Sequence, residues 1–164
     1  MRRILDNNRG LSLIELVVTM VILGILASLI LPSAQMTSTR MKELELKRNL
    51  REIRAALDDY KKNYDQAVDQ KKIVPSLNKP AGYPETLKVL VDGYDFGGLV
   101  NYKKKFLRRI PDDPFHPVKE GEPKWGMRSY EDEPDSNSWG GQNVYDVFSL
   151  STGTAIDGTK YKDW

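Results

Sequence analysis

Residues Leu11–Leu31 read LSLIELVVTMVILGILASLIL, 21 residues with a single charge, Glu15. At about 1.5 Å per residue, a helix of this length is roughly 30 Å long, the thickness of a bilayer core. In lipid a helix also satisfies its own backbone groups. The segment therefore predicts one membrane-spanning helix over 11–31. Arg2, Arg3 and Arg9 precede it and no comparable apolar segment follows. That asymmetry places the N-terminus in the cytoplasm and the bulk of the chain on the far side. In a diderm bacterium this means a single pass through the inner membrane with a periplasmic head. A secretory signal peptide fits less well: its apolar core is only about 7–15 residues long, and Pro32 would occupy the −3 position of a cleavage site in Pro32-Ser33-Ala34-Gln35.

Glu15 is the anomaly in this segment. An ionised group at the bilayer centre costs roughly 2.5–3.5 kcal/mol on insertion scales, and less towards the cytoplasmic end, where Glu15 lies. Two readings compete. The carboxylate reaches headgroup water, or it is kept for a partner charge. No Lys or Arg lies between Leu11 and Leu31, so a partner must come from another molecule or from a new N-terminus cut nearby.

Beyond this segment the charge balance excludes one class of partner. The chain has 25 basic and 23 acidic residues. Without Met1–Gly10, which holds Arg2, Arg3, Arg9 and Asp6, the balance is 22 against 22. A neutral remainder lacks the clustered basic surface that nucleic-acid backbones demand. There are no cysteines, which rules out disulfides, thiolate zinc sites and thiol nucleophiles. A small head must then rest on its core, on a partner, or on a metal with oxygen ligands.

After Pro32 the all-round apolar pattern gives way to a stripe. Leu46, Leu50, Ile53, Leu57, Tyr60 and Tyr64 follow alternating spacings of 4 and 3, one face of a helix. Lys47, Arg48, Arg51, Glu52, Arg54, Asp58, Asp59, Lys61 and Lys62 occupy the other faces and read as a solvated surface. The stripe is short for a coiled coil, which favours packing on a small domain. Residues 32–64 are thus an amphipathic continuation of the first helix, with Pro32 a kink or local opening. A continuous helix over Leu11–Tyr64 would be about 80 Å long.

Residues 65–164 read as a globular head. The stretch 65–82, with Pro75, Pro80 and Gly82, is loop. Tyr83–Val91 predicts a short helix with Pro84 in its first turn, stopped by Asp92-Gly93. Asn101–Arg109 is basic and predicts a turn or short helix. Ile110–Pro117 holds three prolines and is an extended, turned loop. Lys124–Tyr130 and Val144–Leu150 predict two strands, the second richer in β-branched and aromatic residues, joined by the acidic loop Glu131–Gly141. The expected fold class is α+β: a long N-terminal helix packed on a small antiparallel sheet.

The run Arg9-Gly10-Leu11-Ser12-Leu13-Ile14-Glu15-Leu16 strongly resembles the type III signal of type IV pilins and pseudopilins. In that family a membrane aspartyl peptidase, the prepilin peptidase, cuts after the glycine and methylates the new amine. The resemblance implies that 1–10 is a leader, that cleavage falls between Gly10 and Leu11, that Leu11 is N-methylated, and that Glu15 stands at the family's +5 position. Leucine replaces the more common phenylalanine at +1. Pro32 matches a frequent proline at +22. The family reading gives Glu15 its partner, the Leu11 amine of a neighbouring subunit. In low dielectric an ion pair is strongly favoured over a lone carboxylate and can fix register.

The head extends the resemblance. Tyr83-Pro84, Ile110-Pro111-Asp112-Asp113-Pro114-Phe115, Tyr145-Asp146-Val147-Phe148-Ser149-Leu150, Asp157-Gly158-Thr159 and Tyr161-Lys162-Asp163-Trp164 occur in the order seen in major pseudopilins of type II secretion systems. The resemblance implies a pilin-like fold and a homopolymer built with minor pseudopilins, an assembly platform protein and an ATPase. The alternative is a surface type IV pilus used in adhesion, motility or DNA uptake. Those pilins commonly carry a C-terminal disulfide loop, and the absence of cysteine tilts the reading towards secretion. A third class, a bitopic protein with a binding head that never polymerises, shares the same span. Family members bind calcium through the C-terminal loop. Here Ser151-Thr152-Gly153-Thr154 replaces the usual Gly-x-Asp-Gly run, leaving Asp157 and Asp163 as acidic candidates; solvated carboxylates in a capped loop are the competing reading.

Enzymatic readings find little. His116 is the single histidine, and no nucleophile motif accompanies it. No phosphate-cradling glycine loop and no HExxH occur. Asp112-Asp113 before Pro114 could mimic a catalytic pair, but such residues are usually turn chemistry.

Overall fold

The computed structural model describes residues 12–75, 81–118 and 122–164, with side chains at 29–34 outside the description. One long helix, α1 (Leu13–Asp69), is followed by α2 (Lys88–Asp92), strands β1 (Gly126–Arg128) and β2 (Asp146–Phe148), and a 3₁₀ turn at Tyr161–Asp163. The chain divides into two compact units between Thr39 and Arg40.

The unit from Arg40 onward is built on the expected stripe. Leu46, Ile53 and Leu57 are fully buried, and Leu50, Tyr60 and Tyr64 nearly so. Their face meets Leu87, Leu90, Phe96, Leu107, Trp125, Val144 and Val147 in one core. Tyr60 is ringed by Tyr94, Phe96 and Phe106, with centroids between 5.2 and 5.4 Å away. Burial first, and then the neighbouring Tyr94, push its phenol well above the ordinary range. The helix does not stop at Tyr64 but runs to Asp69, so the start of the expected loop is helical. The reason is packing: Ala67 continues the stripe three residues after Tyr64 and is fully buried.

The short helix also departs from expectation. It begins at Lys88 rather than near Tyr83, because the Pro84 carbonyl accepts a bond from Val144 N at 2.8 Å. That bond draws the Tyr83-Pro84 segment to the strand side of the head. The stop is as expected: Gly93 has φ +87° and donates to the Val89 carbonyl. The segment after it forms no helix. It folds back through a two-residue bridge, Tyr94 opposite Lys104, and its Phe106 and Leu107 amides both donate to Leu90 O.

β1 and β2 pair antiparallel, with Gly126 opposite Phe148, Met127 opposite Val147 and Arg128 opposite Asp146. Both strands lie inside the expected runs and are shorter. Side chains take over where the ladder stops. Tyr130 N donates to Asn143 Oδ1 at 3.0 Å, and Ser129 N to Asp132 Oδ2 at 2.7 Å. At Gly126 the Phe148 ring lies so close that a Cβ would meet it at 2.3 Å, so only glycine accepts this cross-strand partner.

The proline-rich loop is pinned from three directions. Asn49 on α1 donates to Asp112 O at 2.9 Å, Trp125 Nε1 donates to Pro111 O at 2.9 Å, and Ser149 Oγ donates to Asp113 Oδ2 at 2.5 Å. Asp113 also accepts from Phe115 N, the turn chemistry that the sequence implies.

Candidate assembly site

Glu15 sits in the first turn of α1, where a carboxylate complements the partial positive charge of the helix N-terminus. Every side chain from 12 to 28 is exposed in the single chain, including Leu13, Ile14, Met20 and Leu23 at 64–82 %. Two hydroxyls of this stretch are spent on their own helix: Thr19 donates to Leu16 O at 2.8 Å and Ser28 to Ile25 O at 2.7 Å. Glu15 is the one charged group here, and its carboxylate has no partner among the described residues. A helix this apolar with no side chain covered requires lipid or other helices around it. Among the described residues no helix is long and apolar enough to cross a membrane. The side chains described here run over 12–28, while the apolar run of the sequence extends from Leu11 to Leu31. Gly10 and Leu11 lie outside the described residues. The backbone at Pro32 is helical, and its side chain is likewise outside the description.

The C-terminal segment is fastened to α1 by charged side chains, among them Lys47 and Arg54, which in sequence read as a solvated face. Arg54 donates to Asp146 Oδ1 at 2.7 Å, to Val147 O at 3.1 Å and to Trp164 O at 2.8 Å. Lys47 Nζ lies 4.0 Å from the Trp164 ring centroid. Glu43 accepts from Ile156 N at 2.8 Å and from the Tyr161 hydroxyl at 3.2 Å. Burial, with Glu43 second, raises the Tyr161 phenol pKa. Glu43, Lys47 and Arg54 are spaced 4 and 7 apart, a helical repeat. That periodicity was a legible signal, masked because charged residues at helical spacing usually face water.

Asp157, a calcium candidate, is occupied otherwise. Its Oδ1 accepts from Thr159 Oγ1 at 2.6 Å and from Thr159 N at 2.9 Å. These bonds, the hydroxyl first, hold its carboxyl below the ordinary value. Thr159 Oγ1 in turn accepts from Trp164 Nε1 at 2.7 Å. Asp163 lies in the 3₁₀ turn, its amide donating to Lys160 O. Among the described residues no three acidic or histidine side chains gather as metal donors. The groups closing on Asp157 Oδ1 are hydrogen-bond donors, and the nearby charge is Lys47. His116 sits in the proline-rich loop, its amide donating to Asp113 O.

A long N-terminal helix with an exposed apolar half bearing one carboxylate, carried on a small α+β head, defines the pilin-like class of assembly subunits. Residues 5–31 match the family model described as the prokaryotic N-terminal methylation motif. The chain is 34 % identical over 107 residues to the type II secretion system core protein G of Pseudomonas aeruginosa, covering 65 % of this chain and 67 % of that protein. It is 30 % identical over 116 residues to the protein of the same name from Klebsiella michiganensis, covering 70 % and 72 %. The Escherichia coli K12 counterpart is 29 % identical over 115 residues, covering 69 % and 70 %. The chain belongs to the type II secretion system core protein G family, the major pseudopilins, and is a structural subunit of a pseudopilus. No solved structure matches the chain significantly. These relatives favour the secretion branch over a surface pilus.

Proposed function

We propose that the chain is inserted in the inner membrane through residues 11–31, cut by the prepilin peptidase between Gly10 and Leu11, and methylated at Leu11. It is then added to a periplasmic filament that pushes exported proteins across the outer membrane. A platform protein, an ATPase and minor pseudopilins complete the machine on this reading. The observation that carries it is Glu15: a carboxylate with no partner among the described residues, in the first turn of α1, within a stretch (12–28) whose side chains are all open. Cleavage creates a free amine four residues before it in sequence. In an apolar filament core the amine of one subunit and the carboxylate of the next neutralise each other, which single subunits in lipid cannot achieve. Assembly is thereby conditional on processing.

Glu15→Ala is expected to insert normally and to lose filaments in sheared-cell and membrane fractions. Normal filament yield from that variant would remove the pairing. Gly10→Ala is expected to keep the size of the unprocessed chain on a gel. Calcium at Asp157 and Asp163 rests on the family resemblance alone. Asp157 Oδ2, which the Thr159 bonds leave unused, would be its ligand atom, and a melting temperature unchanged by chelator would remove the reading.

A further inference from the structure

We propose that the heads of successive subunits dock through a basic groove on one edge of α1, filled by the acidic β1–β2 loop of a second copy of this chain; the proposal rests on the filament reading above. The groove, with a volume of about 510 Å³, lies between α1 at Glu52, Ala55, Ala56 and Asp59 and the segment Phe106–Arg109. Asp59 is already neutralised by Lys104 at 3.1 Å. Arg108 and Arg109 in its lining are exposed and join no ion pair among the described residues, two guanidinium groups against the one further lining carboxylate, Glu52. Exposed Tyr102, Lys103 and Lys105 precede them on the same segment.

The occupant is argued from charge. Glu131, Glu133 and Asp135 are exposed and equally without an ion pair among the described residues. Their loop is held in shape from within: Asp132 accepts from Ser129 N, Ser129 Oγ and Gly140 N at 2.7, 2.7 and 3.0 Å. Arg128 Nε donates to Ser136 O at 2.9 Å. Tyr130 and Tyr145, 59 % and 45 % exposed, pack together at the loop's base with centroids 5.3 Å apart. Exposed aromatics next to unpaired charge are what interface centres use as anchors.

The two surfaces do not share an edge of the head. The groove side meets α1 at Asp59 and Asn63 through Lys104. The loop side meets α1 at Arg54 through Asp146 and at Lys61, whose ammonium lies 6.0 Å from the Tyr83 ring that stacks on Tyr130. Asp59 and Lys61 point about 200° apart around a helix. Two complementary patches on different faces of one chain make a heterologous contact. Repeated, such a contact builds a helical filament unless the rotation closes a ring. Opposite charges also set register between neighbours.

The test is charge exchange in the full-length chain, in cells. Arg108→Glu with Arg109→Glu, and separately Glu133→Lys with Asp135→Lys, should each lose filaments while processing at Gly10 stays normal. Co-production of the two variants should restore filaments, because alternating copies recover opposite charges at every contact. The absence of cysteine in this chain permits a second readout: Arg109→Cys with Asp135→Cys should give a disulfide-linked ladder of copies. Full assembly of either charge variant alone, failure of the mixture to assemble, or a ladder that never extends beyond the monomer would each overturn the proposal. These outcomes leave the pseudopilin reading intact wherever wild-type filaments form and Glu15→Ala abolishes them. Absence of wild-type filaments overturns both.

Discussion

Single residues set hard limits on this head. Gly97 has φ +65° and a Cβ there would come within 2.4 Å of the Lys72 carbonyl oxygen. Gly97→Ala therefore combines an unfavourable backbone with a clash against main chain, and should cost about 1–3 kcal/mol in denaturant unfolding. Gly126→Val meets a ring rather than a backbone, and should disturb the β1–β2 pair, read as lost near-ultraviolet aromatic dichroism. Asp132 gives a pH signature. Bonds from the Ser129 amide, the Gly140 amide and the Ser129 hydroxyl hold its pKa below the ordinary 3.8. A lowered carboxylate contributes stability that is present above pH 3.8 and is lost as pH falls through the depressed value. The melting temperature of Asp132→Asn should therefore trail the wild type most at neutral pH, with the gap closing in acid. A gap that stays constant to the acid limit would show that the charge is not what matters.

Among the elements, the second half of α1 carries the head. Leu57 is completely buried in the middle of the stripe, and Leu57→Ala should cost about 2–5 kcal/mol, measured by chemical unfolding of the unit from Arg40 onward. Arg54 belongs to the same helix but acts through polar contacts, holding Asp146, Val147 O and Trp164 O together. Its side chain is partly exposed, so Arg54→Ala should cost only about 1–2 kcal/mol. The more specific consequence is release of the C-terminal segment, read as faster amide exchange at Ile156 and Tyr161. The stripe of α1 was legible in the sequence because helical periodicity is a local property. The start of α2 was not, because Pro84 satisfies Val144 from a distant part of the chain, and no window around Pro84 contains that partner.

At the level of the whole molecule, the assembly segment and the head ask for different partners. Residues 12–28 expose apolar side chains and one carboxylate, which calls for lipid or other helices. The head exposes charges that join no ion pair among the described residues on two edges, the surfaces of the proposed docking. High salt should weaken the proposed head docking and change the proposed Glu15–amine pair less, since exposed charges are screened over about 10 Å at 0.1 M and buried pairs much less. Filaments washed in high salt should accordingly loosen at their surface before they dissociate into subunits. Dissociation with no prior surface loosening would place the salt-sensitive contacts elsewhere.

The amino-acid sequence by itself determined the apolar run, the lone carboxylate at Glu15, the methylation-type motif over 5–31, the buried stripe and the α+β class, because hydrophobicity, period and short motifs are written in neighbouring residues. Only the tertiary structure decided the extension of α1 to Asp69, the fastening of the C-terminal segment by Glu43, Lys47 and Arg54, and the bonding of Asp157 Oδ1 to Thr159. Charged residues at helical spacing look alike in sequence whether they face water or another segment. Which of them finds a partner depends on where chain ends and loops return, and that is fixed by packing over separations of about a hundred residues, such as the 110 between Arg54 and Trp164.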